Sequence, residues 1–235
     1  MTPPGPAGVP SSDAWNDLTT AVPDAKMLAV VEGADPRTLT PAHLLDALRC
    51  CERLLSHVAG LQTTLLTQFA RPGRSGDISR MVEATVDVGG LALRSDGEVD
   101  TDILAAVVTE HAHGMAATEL AAALGIAPIT ARRRVEAAVD LHDGLPQTHR
   151  ALIDGKLDRG RAALIAECTN TLEPDLRLEV ESTVLPLVAG RTTGRLRPLI
   201  ERAVLIADPE TTKKRIETAK REREVTTDRS RTSWV

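Results

Sequence analysis

Aromatic side chains are nearly absent from this chain of 235 residues, which contains no tyrosine, one phenylalanine and two tryptophans. Proteins that hold single-stranded nucleic acid usually stack bases on aromatic rings, so the composition disfavours that function. Apolar residues still make up 42% of the sequence, and Leu, Val, Ala and Ile must therefore fill the core. Because this set of residues suits helices better than sheets, we expect an all-α fold.

Cysteine is also scarce. The chain has three cysteines, Cys50, Cys51 and Cys168. An odd number without C-x-x-C spacing argues against a disulfide framework and a structural zinc site. The sequence has no run of 18 apolar residues, and its first residues lack the basic start and apolar run of a signal peptide. We therefore expect a cytoplasmic protein with no membrane contact.

Motifs for nucleotide binding and hydrolysis are missing, since no G-x-x-x-x-G-K-[ST], G-x-G-x-x-G or G-x-S-x-G occurs. His111 and His113 would point to different faces of a helix and could not easily share a metal ion. His142 and His149 flank a turn without a nearby Cys or carboxylate pair. We assign no catalytic residue, no metal ligand and no cofactor.

Three regions are expected along the chain. Residues 1–37 are rich in Pro, Gly and Ser, which predicts a mostly disordered arm. Residues 38–225 are predicted to form a helical bundle because short linkers separate the helices, although a glycine-rich connection fills residues 71–100. Residues 226–235 are polar, without periodicity, and are expected to be a tail left by truncation.

The bundle begins with a long helix. Thr40 is a good N-cap and Pro41 suits the first helical position, so the helix is predicted to start there and to end near Arg71. Its apolar residues repeat at spacings of four and three, interrupted by Gln62, as in a coiled coil. We expect this stripe to pack in an antiparallel helical pair or to mediate self-association. It comprises Leu44, Leu48, Cys51, Leu55, Val58, Leu65 and Phe69.

Helix resumes over residues 102–113, and the stretch Thr118–Leu141 is then typical of two short helices hinged at Gly125. A glycine at the hinge and a small residue, Ala121, allow the two helices to approach closely. Three residues are predicted to form the apolar underside of the pair: Ile126, Ala131 and Val135. This pattern resembles a helix-turn-helix embedded in the bundle.

The start of the second short helix presents the candidate DNA contacts. Helix-turn-helix proteins meet base edges and phosphates at these positions. The basic charge is also C-terminal, since residues 128–235 hold 20 Lys and Arg against 17 Asp and Glu, whereas residues 1–127 hold 8 against 16. In the alternative, the motif is a structural corner in which the arginines form i,i+4 pairs, such as Arg132 with Glu136. The candidate contacts are Thr130, Arg132, Arg133 and Arg134.

Several segments of the second half occur in a fixed order. They are the Leu-Pro pair at 145–146, ALIDGKL followed by RAALIA, TTGRLRPLIERAV, ADPE at residues 207–210 and a closing REREV. In this order they resemble the domain of unknown function 222 family, also called the 13E12 repeat family, over roughly residues 39–225.

The resemblance implies a helical domain of the kind that precedes an HNH nuclease domain, whose His and Asn residues hold a divalent metal ion. No histidine follows His149, and the only asparagines are Asn16 and Asn170, so no catalytic residue carries over. A complete nuclease with an unfamiliar metal site at His111 and His113 is a third alternative, and we do not expect this chain to be an enzyme.

The leading hypothesis is a non-catalytic helical module that associates with double-stranded DNA through Thr130 and the three arginines that follow Ala131. The alternative is a structural or protein-interaction domain that binds no nucleic acid. Such a domain would form a homo-oligomer through Leu44, Leu48, Leu55, Val58 and Leu65.

Overall fold

The computed structural model describes residues 12–74 and 100–209. Within these two ranges the chain forms nine α-helices, one short 3₁₀ helix and no β-strand, which confirms the all-α prediction. The 3₁₀ helix is Leu185–Leu187. The α-helices are α1 (Ser12–Thr20), α2 (Ala25–Gly33), α3 (Pro41–Phe69), α4 (Thr101–Leu124), α5 (Pro128–Gly144), α6 (Pro146–Ile153), α7 (Arg159–Thr169), α8 (Pro174–Val184) and α9 (Thr193–Ala207).

The chain divides into two compact units, residues 1–163 and 164–235, and the boundary falls within α7. In the first unit, α3 contacts α1, α2, α5 and α6. In the second unit α8 packs on α9, and Val180, Val184, Leu196 and Ile200 are buried there. Among the described residues, no helix is both long and apolar enough to cross a membrane.

The long helix α3 starts where the sequence predicts. The hydroxyl of Thr40 accepts a hydrogen bond from the backbone N–H of His43 at 3.2 Å, and Pro41 occupies the first turn. The cap satisfies one of the N–H groups that a helix start otherwise leaves without a partner. The helix is 29 residues long and ends at Phe69, close to the predicted end.

The face that α3 turns toward the rest of its unit differs from the predicted one. Its buried residues include small ones such as Ser56, Gly60 and Thr63. Gly60 lies against α6, where an added Cβ would sit 2.9 Å from the backbone nitrogen of Ile153, so only a glycine allows the helices to approach this closely. The leucines of the apolar stripe are exposed instead, and no antiparallel helix within the described ranges covers them.

Residues 12–37, the described part of the predicted disordered arm, are largely helical. Residues 12–37 contain α1 and α2, and the side chain of Asp24 caps α2 by accepting the N–H of Met27 at 2.8 Å. Trp15, Leu18 and Met27 form a buried cluster with Cys50 of α3. Only a few large apolar residues are present in this segment, and they form helices because α3 offers them a surface for burial.

Helix α4 is longer than predicted, since residues 102–124 belong to one helix of 24 residues rather than two shorter ones. Gly114 lies in its interior, where a glycine costs about 1 kcal/mol relative to alanine but does not end a helix by itself. The predicted glycine-rich connection beyond Arg74, the helix predicted to start at Pro209 and the predicted tail lie outside the described residues.

His149, after the α5–α6 turn, joins α6 to α3, and His142, before the turn, packs on its ring. The ring of His149 is buried, and its Nε2 donates to the carbonyl oxygen of Gly60 at 3.2 Å and lies 3.1 Å from the hydroxyl of Thr64. The rings of His142 and His149 have centroids 4.8 Å apart. Burial lowers the pKa of His149, the nearby His142 lowers it further, and the hydrogen bond to Gly60 opposes the change.

This arrangement predicts that the first unit loses stability in mild acid. Because the folded pKa of His149 lies below the unfolded value, the folded protein binds fewer protons in this window, and stability falls as the pH drops below about 6.5. The midpoint of thermal unfolding should therefore be lower at acidic pH than at neutral pH. His149→Gln retains a donor for the Gly60 carbonyl without titrating, so it should flatten this dependence. If the variant kept the same pH dependence, the loss of stability in acid would come from titratable groups other than His149.

Candidate nucleic-acid interface

A three-residue turn joins α4 to α5. Gly125 adopts φ 62° and ψ 35°, a left-handed conformation that side-chain-bearing residues rarely adopt. The N–H groups of Gly125 and Ile126 both donate to the carbonyl oxygen of Ala121, and the second bond measures 3.1 Å. These bonds satisfy a carbonyl group at the end of α4 and direct the chain into α5. The glycine hinge is therefore at the predicted position.

The underside of the α4–α5 pair is apolar, as the sequence predicts. Ala121, Ala131 and Val135 are buried in one cluster, and Ile126 packs against it. Ala70 and Phe69, at the end of α3, belong to the same cluster, so the pair is held against the long helix. The side chains that face away from the cluster are consequently displayed on a rigid support.

All four candidate contacts are exposed near the start of α5, but they do not share one face. Residues three and four positions apart lie on the same side of a helix. Thr130, Arg133 and Arg134 therefore form one exposed face, which we call the α5 front. Arg132 lies on a neighbouring side together with Glu136.

Arg132 is held by two carboxylates. Its Nε donates to Glu136 at 2.7 Å, and its Nη2 donates to Glu110 of α4. These hydrogen bonds raise the pKa of Arg132, and the bond to Glu136 contributes most. The sequence anticipated the pair with Glu136 as the alternative interpretation, but it gave no signal for Glu110, which is 22 residues away. That contact depends on how α4 crosses α5.

The two arginines of the α5 front have no such partners. Arg133 and Arg134 form no ion pair with any carboxylate in the described ranges, and both side chains are exposed. Two guanidinium groups with no carboxylate bound to them can accept a phosphate or another anion without first giving up an internal bond.

The predicted alternative metal site is not assembled within the part of the chain that the structure describes. His111 and His113 both lie on α4, and no group of three His, Cys, Asp or Glu side chains is close enough there to hold a metal ion. The described residues therefore offer no set of ligands on which to build metal-assisted cleavage of DNA.

Comparison with known protein families matches residues 93–233 to a domain of unknown function, DUF222. Comparisons with curated proteins and with solved structures find no match. The matched range includes the α4–α5 pair and every later helix, whereas α1, α2 and α3 precede it. Because the match covers more than half of the sequence, the chain belongs to the DUF222 family.

Proposed function

We propose that this chain is a non-catalytic helical module that associates with double-stranded DNA through the α5 front. One observation supports the proposal most directly. The guanidinium groups of Arg133 and Arg134 are exposed beside Thr130, and no carboxylate in the described ranges pairs with them. The resemblance to domains that precede HNH nucleases adds a reason to expect DNA near this module.

The geometry of the pair supports this proposal. In helix-turn-helix proteins, a short turn joins two helices, and the first residues of the second helix enter the major groove. Here the turn consists of Gly125, Ile126 and Ala127, and the α5 front lies in the first two turns of the second helix. Arginines at such positions bind phosphates and can donate two hydrogen bonds to guanine.

Arg132 has a different role in this proposal. Its guanidinium bridges Glu110 and Glu136, so it ties α4 to α5 and offsets carboxylate charge beside the α5 front. We therefore assign DNA contact to Thr130, Arg133 and Arg134, and we assign Arg132 to positioning the two helices.

Fluorescence anisotropy with a labelled duplex, titrated at several salt concentrations, tests the proposal. Each lost phosphate contact reduces the slope of log K against log salt by about one, so Arg133→Ala with Arg134→Ala should reduce it by about two. The apparent Kd should rise about tenfold at moderate salt. The single variant Arg132→Ala should leave the slope nearly unchanged.

The matched control removes two exposed arginines from the second unit, Arg195→Ala with Arg202→Ala in α9. This control changes the net charge by the same amount, and it should retain most of the affinity. Absence of binding by the unmodified chain at low salt would refute the proposal. An equal loss in both double variants would show that binding follows net charge and not the α5 front.

The second candidate function is a protein-interaction domain that binds no nucleic acid. One observation favours it: the leucines of the apolar stripe on α3 are exposed to solvent. Protein interaction through the stripe does not by itself exclude DNA binding, because the stripe and the α5 front are different surfaces of the first unit.

A further inference from the structure

The apolar stripe of α3 has the spacing of a coiled-coil seam. From residue 44 to residue 69 its positions alternate by four and three residues, which is the heptad repeat. Six of the eight positions are exposed, and Leu48, Leu55 and Leu65 have 60%, 64% and 69% of their surface open to solvent. The eight positions are Leu44, Leu48, Cys51, Leu55, Val58, Gln62, Leu65 and Phe69.

A packed helix usually buries its large apolar residues and exposes its small or polar ones, but α3 shows the opposite pattern. Ser56, Gly60, Thr63 and Thr67 are buried against the rest of the unit, while the leucines of the stripe are exposed. Burying a leucine stabilises a fold, and a stripe of exposed leucines forgoes that gain along the whole helix. Contiguous exposed apolar surface of this kind is typical of an interaction site.

We propose that a second copy of this chain covers the stripe, so that the α3 helices of two protomers form a parallel two-stranded coiled coil. A heptad repeat packs best on a helix with the same repeat, because each side chain enters a hole between four residues of the partner. The stripe of one copy can therefore pack against the same stripe of a second copy. From Leu44 to Leu65 it also lies away from the buried face, so two protomers can approach along that length without disturbing the helices already packed on α3.

Neither of the two longer segments outside the described residues, 75–99 and 210–235, is suited to cover the whole stripe. The stripe from Leu44 to Leu65 is about 32 Å long at 1.5 Å per residue. Residues 75–99 contain two consecutive glycines, Gly89 and Gly90, which disfavour one continuous helix, and the twelve residues 77–88 before them would measure about 18 Å as a helix. Residues 210–235 are rich in charged side chains and carry no apolar heptad repeat.

Gln62 selects the parallel arrangement. A buried amide needs hydrogen-bonding partners, and a single polar residue in a coiled-coil seam specifies register. In a parallel dimer in register, the Gln62 side chains of the two copies meet and can bond to each other. In an antiparallel dimer, Gln62 would lie near Cys51 of the other copy, where its amide would lack an equivalent partner.

Sedimentation velocity of the full chain at about 50 µM tests the dimer, and the expected mass is twice 25.1 kDa. Leu55→Glu with Leu65→Glu should give monomers with unchanged helical circular dichroism, because both side chains are exposed in the protomer. The matched control, Leu124→Glu with Ile129→Glu, alters two comparably exposed apolar residues away from the stripe and should remain dimeric. A monomeric unmodified chain, or equal dissociation of both variants, would overturn the proposal.

Cys51 tests the orientation. In the parallel dimer the two Cys51 side chains face each other in one layer of the seam, so mild oxidation with diamide should link two chains through them. Replacing Cys168 by Ser should not prevent this link, whereas Cys51→Ser should abolish it. A dimer that forms no Cys51 link would overturn the parallel arrangement. These measurements contain no DNA, so their outcome is independent of the function proposed for the α5 front.

Discussion

Replacing Trp15 by Ala is expected to lower the free energy of unfolding of the first unit by about 3–5 kcal/mol. Trp15 is the largest of the fully buried side chains, and it packs with Leu18, Met27 and Cys50 in the cluster that holds α1 and α2 on α3. Its ring also stacks on His43 of α3, with ring centroids 6.4 Å apart. The substitution would leave a cavity at the centre of this cluster, and the neighbouring side chains are too small to fill it.

Urea unfolding followed by circular dichroism measures this loss. Hydrogen exchange of peptides from α1 and α2 should also accelerate more than exchange in α5, because the cluster holds the first two helices locally. Trp15→Phe is the control, since it keeps an aromatic ring and removes an indole N–H that has no hydrogen-bond partner. It should cost only about 1 kcal/mol. If Trp15→Ala changed stability by less than the Phe variant, α1 would not be docked in solution.

The substitution Gly60→Ala should destabilise the first unit, although alanine is the better helix former. An added Cβ would lie 2.7 Å from Cγ1 of Ile153 and 2.9 Å from its backbone nitrogen, so the α6 backbone must move. Overpacking of this kind costs about 1–3 kcal/mol, and movement of the backbone would also weaken the bond from His149 to the Gly60 carbonyl. Improved helix propensity offsets about 1 kcal/mol, so a net loss of up to roughly 2 kcal/mol is expected.

Gly114→Ala provides the matched comparison, because it makes the same change in the interior of another helix. No described atom lies within 4 Å of an added Cβ at Gly114, so this variant should gain up to about 1 kcal/mol. The two substitutions should therefore shift the urea midpoint in opposite directions. A gain in both variants would show that α3 and α6 do not approach as closely as the Gly60 contact requires.

Local features of the sequence predict much of the fold. The Thr40 cap, the proline that follows it and the glycine at 125 act within a few residues of chain, so their sequence pattern is sufficient to locate a helix start and a turn. The underside of the α4–α5 pair was also predictable from local sequence, because the small residues Ala121 and Ala131 lie close to the turn on either side.

Features that depend on a distant surface were predicted poorly. The segment before Ala34 looks disordered by composition, but α1 and α2 form because α3 buries Trp15 and Met27. Helix α4 continues through Gly114 because nothing in its surroundings requires a break. The four candidate DNA contacts lie within five residues of sequence, yet Arg132 differs from the others because it pairs with Glu110.

The sequence by itself determined the all-α class, the boundaries of α3, the turn at Gly125 and membership of the DUF222 family, because local propensity and residue order encode each of these. Only the tertiary structure decided which face of α3 is buried and which arginines remain unpaired. Periodicity reveals that a helix has an apolar face, but the side on which other helices pack depends on close approach, here at Gly60. Physical contact between distant segments therefore decided which surfaces this protein exposes to solvent.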